Sequence, residues 1–530
     1  MARDTMHGNA LASSASTNAI STRATRLRWL LRVLVTISLA ATLHCGPAVV
    51  AAQTLLTATP VNPTSLDPHR AIEGYSFMVT NQIYDTLVRL GEGGEIVPGL
   101  AEAWSWPEPG VLRLRLRQGV RFHDGSQLDA ATVAASLRRL VDPATASRGA
   151  FLLAAVDRFE VLDDHTLELV SAPPHTPLLA NLTFPATAIV PLGAGDELAR
   201  QPVGTGPFRF VSWRDGDVIE LRRHAEYWAD PALLEGVRFR VMPERAAQLI
   251  AFRAGDLHLV HDLPPDAFAS LADEPGVERV TYSSDRTSYL TFNLRHPLLS
   301  DLRVRRAIAH ALDRELLTDA VFRGLALPPR GLLSPLVRYA LDEPDTYTHD
   351  PDAARALLRE AGAEGVRLRL DIGADSDLDV VAQYVQAALA EVGVDVEIRR
   401  SDFATYYELL ASGQGELSLG YWGSDTLDPD FMLGLALHSS QVGGNNSSRY
   451  EQPEFDALLE RGARLPDGPD RAGVYRAAQQ RALADLPMLP LYHHVGTFAK
   501  RGGLEGERVV ASSFQLDLRT ARLPTHTGTP

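Results

Sequence analysis

The stretch from Gly420 to Asp430, GYWGSDTLDPD, places an indole and a carboxylate three residues apart. It follows the alternating run Glu416-Leu-Ser-Leu, which predicts a strand, so Trp422 and Asp425 lie just beyond a strand end. Binding and catalytic groups are often found on loops at such positions. The alternative is structural: Trp422 fills a core and Asp425 caps a turn, which is a common role for Asp. These residues alone leave both interpretations open.

Alternating helical and strand patterns fill the region before this stretch and must position it. The predicted helices are 304–312, 316–321, 351–361, 381–389 and 406–410, and the predicted strands are 366–372, 394–398 and 416–421. This order predicts a mostly parallel α/β sheet, in which ligands bind beyond the carboxyl ends of the strands. Because residues 422–425 follow the third strand directly, the pattern favours a pocket wall over a core plug.

The N-terminal half has a different pattern, of short strands and tight turns. Leu and Arg alternate strictly from Val111 to Arg117, which predicts a half-exposed strand. A helix is predicted around Ala130 to Leu140, and a strand pair within 161–170 is interrupted by two adjacent aspartates. We therefore expect an α+β region here rather than a second wound sheet.

Sequence signatures of catalysis are absent. The chain contains no H-E-x-x-H, no G-x-S-x-G and no P-loop motif. His493 and His494 are adjacent on a predicted strand, so their side chains would point to opposite faces and could not share one metal ion. We expect no catalytic residues, no metal and no cofactor. A secreted hydrolase with an acidic cleft is the alternative, and it would need a nucleophile and a base within reach.

Charge limits the classes of partner. The formal net charge is −15, and an acidic chain repels phosphate backbones, so nucleic acid is excluded as a partner. A cationic ligand is compatible with this charge.

The first 52 residues have the organisation of a secretory signal peptide. Four arginines between positions 23 and 32 precede a short apolar run, and small residues end at Ala52. This predicts a periplasmic protein whose mature chain begins at Gln53. The alternative is a lipid anchor on Cys45, the only cysteine, although Thr42 and His44 fit a lipoprotein signal badly.

Several segments carry a family resemblance when they are taken together. They include Ser65–Pro68, Ile83–Val88, Ile96–Trp104, Leu114–Gly125, Val203–Phe208, Asp301–Ala307, Ala311–Glu315, Asp350–Gly362 and Leu483–Tyr492. In this order they resemble the extracytoplasmic solute-binding proteins of family 5, which serve ABC transporters of the peptide, dipeptide and nickel type. The similarity spans roughly residues 54–498.

The resemblance implies the fold class: α/β, a two-lobe periplasmic-binding-protein fold of type II, cluster C, with an extra α+β subdomain. The implied division is lobe I at 53–75, 200–290 and 490–530, the extra subdomain at 76–199, and lobe II at 291–489. The chain would cross between the lobes near Tyr289–Asn293 and Leu489–Tyr492.

The resemblance also implies a ligand site. In peptide-binding members the Asp that corresponds to Asp425 receives the peptide α-ammonium, and the peptide main chain adds as a strand between two protein segments. The candidate ligand-binding residues are Glu73, Gly74, Tyr75, Tyr289, Asp379, Tyr421, Trp422, Gly423, Ser424 and Asp425. Where binders of longer peptides place basic residues for the C-terminal carboxylate, this chain has Leu419 and Asp379.

The expected function is therefore that of an extracytoplasmic solute receptor, without catalysis. It would be a monomer that encloses a peptide, a peptide-like molecule or a cationic small molecule and delivers it to the ABC permease in the inner membrane. Besides the hydrolase, a ligand-sensing or chaperone-like protein without transport is an alternative.

Overall fold

The predicted periodicities are realised as strands and helices in the computed structural model, which describes residues 53–71, 74–344, 346–373, 378–511 and 515–524. The signal peptide, Cys45 and Glu73 lie outside these residues. The strands are β1 Thr54–Thr59, β2 Val88–Leu90, β3 Ile96–Pro98, β4 Ala101–Glu108, β5 Val111–Leu116, β6 Arg158–Asp163, β7 Thr166–Val170, β8 Phe208–Arg214, β9 Val218–Arg223, β10 Gly236–Val241, β11 Leu259–His261, β12 Val277–Phe292, β13 Ala326–Leu327, β14 Arg367–Gly373, β15 Asp395–Ser401, β16 Leu417–Trp422, β17 Met488–Arg501, β18 Arg508–Val509 and β19 Leu516–Asp517. The helices are α1 Gly74–Ile83, α2 Ala130–Val141, α3 Leu178–Asn181, α4 Arg245–Ala254, α5 Pro265–Ala269, α6 Leu302–Ala311, α7 Arg314–Phe322, α8 Pro351–Glu360, α9 Asp379–Glu391, α10 Phe403–Ser412, α11 Pro429–Leu437, α12 Pro453–Arg464 and α13 Pro469–Asp485.

One large sheet runs through both lobes in the order β15-β14-β16-β12-β17-β11-β1-β10-β9-β8, and β13 also pairs with β17. Strand β14 is parallel to β15 and to β16, which confirms the parallel arrangement predicted for this region. The long strands β12 and β17 are antiparallel and belong to both halves of the sheet. Residues 287–292 of β12 pair with β16, while residues 498–500 of β17 pair with β11.

A separate antiparallel sheet, β4-β5-β7-β6, confirms the α+β region. In β5 the side chains of Leu112, Leu114 and Leu116 are buried, and the intervening arginines are exposed. The buried leucines pack with apolar residues of α2, which begins after Asp129, whose side chain accepts from the Thr132 amide. The strict Leu/Arg alternation therefore marks a sheet with one face on a core and one in water.

Each part of the chain has its own apolar core. The β14–β16 sheet packs with α6, α8 and α9, and the β1–β10 sheet packs with α1. A further cluster lies among α11, α12 and α13, and it includes Tyr289 from β12. Separate cores let lobes move as units, because few apolar contacts need to change between them.

The segment Ser65-Leu-Asp-Pro68 joins lobe I to the α2 helix. Asp67 is fully buried and binds the Arg139 guanidinium, with an Nη2–Oδ2 distance of 2.6 Å. The Ser65 hydroxyl accepts from the Asp67 amide at 3.0 Å, and Arg139 also contacts the His69 ring at 2.8 Å. A buried ion pair with this many hydrogen bonds holds the two elements in one register.

Candidate ligand-binding site

The loop after β16 presents the residues that the sequence singled out. Leu417 and Leu419 of β16 are buried on the lobe II core, and Trp422 at its end pairs with Thr287 of β12. Beyond Trp422 the chain turns, and the Leu427 amide donates to the Ser424 carbonyl at 2.6 Å. No strand among the described residues pairs with Gly420 to Trp422 on the side away from β12.

The capping role in this stretch belongs to Asp428 rather than to Asp425. Helix α11 begins at Pro429, and the Asp428 side chain accepts from the Asp430 amide at 3.1 Å. Asp428 is also held by two hydrogen bonds from the buried Arg471, each 2.8 Å long. The carboxyl of Asp425 instead lies close to that of Asp285, so Asp425 does not cap this helix.

Trp422 and Tyr421 lie on opposite faces of β16, as expected for successive strand residues. Trp422 is partly buried and packs against the α11–α13 cluster. Tyr421 is 51 % exposed, and its ring lies edge-on to His494 with 5.8 Å between ring centroids. The Arg286 guanidinium lies 4.9 Å from the centre of the Tyr421 ring, in cation–π geometry.

Asp425 faces a second carboxyl, that of Asp285 in β12, which is 2 % exposed. Oδ2 of Asp285 and Oδ1 of Asp425 lie together beside Gly423, so the two carboxylates repel each other when both are ionised. Burial and the charge of Asp425 raise the pKa of Asp285 well above its usual range. Burial also raises the pKa of Asp425, although Arg286 and the hydrogen bond from Asp285 oppose the increase. Both shifts favour the protonated form of a carboxyl in this pair.

Gly423 allows the two carboxyls to approach each other. A Cβ atom at this position would lie 2.8 Å from Asp285 Oδ2 and 3.2 Å from Asp425 Oδ1. Real Cβ atoms essentially never come within 3.0 Å of another atom, so any larger residue would displace the pair. The glycine predicted to be a ligand contact therefore also sets the geometry of the acidic pair.

A third acidic residue, Asp262, lies close enough to Arg286 to affect its pKa. It follows β11 in the left-handed region, with φ of 54°, which is strained for a residue other than glycine. Tyr75 donates its hydroxyl proton to Asp262 Oδ2 at 3.0 Å, and Arg245 donates to the Asp262 carbonyl. Asp262 and Asp285 are among the groups that raise the pKa of Arg286 against the effect of burial, so this guanidinium lies near two acidic residues.

The acidic pair lies at a bulge between the two long strands. Ser283 pairs with Val495 and Thr287 with His493, so residues 284–286 of β12 face the single residue His494 of β17. The ring nitrogens of His493 and His494 contact the hydroxyls of Thr287 and Ser288, each at 2.8 Å. Burial lowers the pKa of His493 to about 4 and of His494 to about 3, so both rings are neutral at neutral pH.

The lobes touch across the cleft. Phe431 of α11 stacks on Phe184 of the extra subdomain at 6.0 Å and approaches Phe151 at 5.8 Å. Thr176 donates its amide to the Ala463 carbonyl at 2.7 Å, next to the end of α12. These contacts join residues 151–184 to helices α11 and α12.

The structure brings together most, though not all, of the predicted site residues. Tyr75, at the start of α1 beside Gly74, and residues 421–425 surround the bulge, although Ser424 is buried and serves the turn. Tyr289 is a correction: it is 1 % exposed in the α11–α13 core, and its hydroxyl donates to the Leu332 carbonyl, so it packs rather than faces a cleft. Asp379 also lies elsewhere, in the first turn of α9, where it pairs with Arg400.

Three residues of the site escaped the sequence argument: Asp262, Asp285 and Arg286. A signal was present for two of them, because Asp285-Arg286 interrupts a long strand-like run with adjacent opposite charges. Charged residues are rarely fully buried unless they are paired, so such an interruption in a predicted inter-lobe strand indicates a function.

Two lobes, each with its own apolar core, are joined by a pair of long strands, and carboxyls and aromatic rings lie at the junction. This arrangement is typical of a receptor that binds a small solute between its lobes. The profile described as "Bacterial extracellular solute-binding proteins, family 5 Middle" matches residues 95–444. The chain belongs to this family, whose members are substrate-binding proteins of ABC importers rather than enzymes.

Relatives of known name agree with this assignment. The chain is 28 % identical to "Di/tripeptide-binding protein 2" of Pseudomonas aeruginosa, over 86 % of this chain and 92 % of that protein. It is also 28 % identical to "Heme-binding protein A" of Haemophilus influenzae, over 84 % of this chain and 87 % of the relative.

Solved structures show the same fold. The periplasmic binding protein DppA of Helicobacter pylori, in complex with the peptide STSA, superposes with a TM-score of 0.79 at 27 % identity, covering 89 % of this chain and 98 % of that one. The fold is the type II, cluster C arrangement, as the resemblance implied. In the part of the chain that the structure describes, no helix is both long and apolar enough to cross a membrane.

Proposed function

We propose that this receptor binds a small ligand with a free ammonium group, a short peptide or another primary amine, and passes it to its permease. The observation that carries the proposal is the carboxyl of Asp425, which faces Asp285 at the junction of the lobes. Asp425 caps no helix, and its backbone carbonyl is held by Gln515 at 3.1 Å, which positions its side chain.

The surroundings of Asp425 suit a peptide. Tyr421 and Trp422 offer aromatic surface on the two faces of β16, and the backbone edge of Gly420 to Trp422 that faces away from β12 could accept an added strand. The names of the relatives support this class of ligand, since one is called a di- and tripeptide-binding protein and one structure holds a peptide.

We further propose that the lobes close about the bulge at residues 284–286 and about residues 493–495 opposite it. Residues 287–292 already pair with β16 of lobe II, so this crossing lies before the Tyr289–Asn293 segment predicted from the sequence. Apart from this shift, we propose the lobe and subdomain divisions that the sequence predicts. An interrupted ladder lets the two halves of a strand rotate with little loss of hydrogen bonding.

The cellular setting completes the proposal. The family is extracytoplasmic, and the signal-peptide pattern that ends at Ala52 supports export to the periplasm with a mature chain that begins at Gln53. We propose that the mature protein acts as a monomer.

A paired binding experiment tests the ligand class. Calorimetric titration with trialanine and with N-acetyl-trialanine compares two peptides that differ in the charge of the amino terminus. We expect trialanine to bind and the acetylated peptide to bind at least 30-fold more weakly, the lower end of the cost of losing one partner of a desolvated charge pair. Equal affinities, or no binding of trialanine, would refute the assignment of an ammonium site.

A further inference from the structure

One carboxyl oxygen of Asp285 lacks a hydrogen-bond donor in the described part of the chain. Its Oδ2 atom is buried, and no N–H or O–H group among the described residues donates a hydrogen bond to it. An unpaired buried acceptor is destabilising, so it is rarely retained without a role. Since Oδ2 of Asp285 and Oδ1 of Asp425 lie on the same side of Gly423, both carboxyls are aimed at one place.

The charges of the cluster balance only with one proton in the pair. Asp262, Asp285 and Asp425 supply three carboxyls, and Arg245 and Arg286 supply two guanidinium groups. If one carboxyl is protonated, the cluster is neutral. Loss of that proton alone would leave an uncompensated buried negative charge, which is strongly unfavourable.

We propose that Asp285 is a second ligand-binding carboxyl and that the pair exchanges its shared proton for the ammonium group of the ligand. The inference rests on the proposed function, because it needs an ammonium-bearing ligand at Asp425. In the free protein the shared proton bridges the two carboxyls. On binding, the O–H bond breaks, the proton leaves to the buffer, and the ammonium donates hydrogen bonds to both carboxylates. The cluster is neutral before and after.

Two histidines and two tyrosines near the pair do not titrate between about pH 5 and pH 8. On β17, burial lowers the pKa of His493 to about 4 and of His494 to about 3. The phenols of Tyr75 on α1 and Tyr282 on β12 have raised pKa values and stay protonated. The remaining neighbours are the arginines Arg245 on α4 and Arg286 on β12, Asp262 after β11, and Tyr421 on β16. Proton release in this range that disappears when Asp285 is replaced therefore comes from the pair.

The test is to count protons with trialanine as the probe. Calorimetry at pH 5, 6 and 7, in two buffers of different ionisation enthalpy at each pH, gives the number of protons released on binding. We expect about one proton to be released per peptide bound at pH values below the pKa of the pair. Over that range the dissociation constant should fall about tenfold for each unit by which the pH rises. The variant Asp285→Asn should bind with no proton release and no pH dependence.

A matched control separates this role from a structural one. Asp430 is another acid whose pKa burial raises, to about 6, but it is bonded to Tyr475 rather than to the pair. Asp430→Asn should release the same number of protons as the wild type. Proton release that persists in Asp285→Asn, or wild-type binding without release, would overturn the exchange while leaving the ammonium site intact. No binding of trialanine at any pH would overturn the proposed function and the exchange with it.

Discussion

Asp425→Asn should separate affinity from stability. In the bound state the substitution removes a charge that pairs with the ligand ammonium in a desolvated cleft, which costs about 2–5 kcal/mol. At about 1.4 kcal/mol per decade, trialanine should bind about 30- to 3,000-fold more weakly. We expect the lower end of this range, because Asp285 remains and can ionise in place of Asp425.

In the free protein the same substitution should be harmless or favourable. The new amide can donate a hydrogen bond to the buried Oδ2 of Asp285, which accepts none from the other described residues. Satisfying such an acceptor is worth about 1–3 kcal/mol, and the substitution also removes the repulsion that raises the pKa of Asp285. We therefore expect the free energy of unfolding at pH 8 to be unchanged or to rise by about 1 kcal/mol.

Two measurements decide the matter: calorimetric titration with trialanine, and urea unfolding of the ligand-free protein followed by circular dichroism. Asp428→Asn serves as the matched contrast, since Asp428 caps α11 and binds the buried Arg471. That variant should lose stability through the broken ion pair. Near-wild-type affinity of Asp425→Asn, or a loss of affinity that only parallels a loss of stability, would refute the reasoning.

Four further predictions concern stability, closure and export. Burial raises the pKa of Asp430 to about 6, so ionisation of Asp430 lowers the free energy of unfolding as the pH rises from about 4 to 6. The variant Asp430→Asn keeps an acceptor for the Tyr475 hydroxyl. In urea unfolding it should be about 1–2 kcal/mol more stable than the wild type at pH 8 and equally stable near pH 4. Arg139→Met leaves the fully buried Asp67 with only Arg70, at 4.0 Å, as a counter-ion and should cost about 3–5 kcal/mol of unfolding free energy, whereas a loss below 1 kcal/mol would contradict the buried pair. Trialanine at saturation should reduce the radius of gyration in small-angle scattering, and an unchanged radius with binding confirmed by calorimetry would count against closure about the bulge. N-terminal sequencing of exported protein should read from Gln53, and a lipid-modified chain recovered from membranes would contradict it.

Much of the local structure could be predicted from the sequence, because its determinants lie within a few residues. Helix α8 is an example: Asp350 accepts from the Ala353 amide and Pro351 occupies the first turn, as the sequence predicts for a helix start. The strict alternation of β5 likewise specified which side chains are buried. The order of strands and helices from residue 366 to 421 was enough to predict the parallel part of the sheet.

The choice between two aspartates in the opening stretch needed the folded chain. Asp425 and Asp428 are both suited to cap a turn by composition, and only the start of α11 at Pro429 assigns that role to Asp428. Tyr289 was wrongly placed in the site for a related reason. It lies at the predicted crossing, but packing against α11 and α13 makes it part of a core, and no local pattern specifies what a strand face will meet.

The acidic pair itself was decided only by tertiary structure. Asp285 and Asp425 meet because β12 and β16 pair antiparallel and because the β12 bulge directs one carboxyl toward the loop after β16. Helix hydrogen bonds span four residues, so the sequence specifies them locally, whereas strand pairing joins residues far apart in the chain. Burial then raises the pKa values of the pair, and this electrostatic effect exists only once distant segments have excluded water from between them.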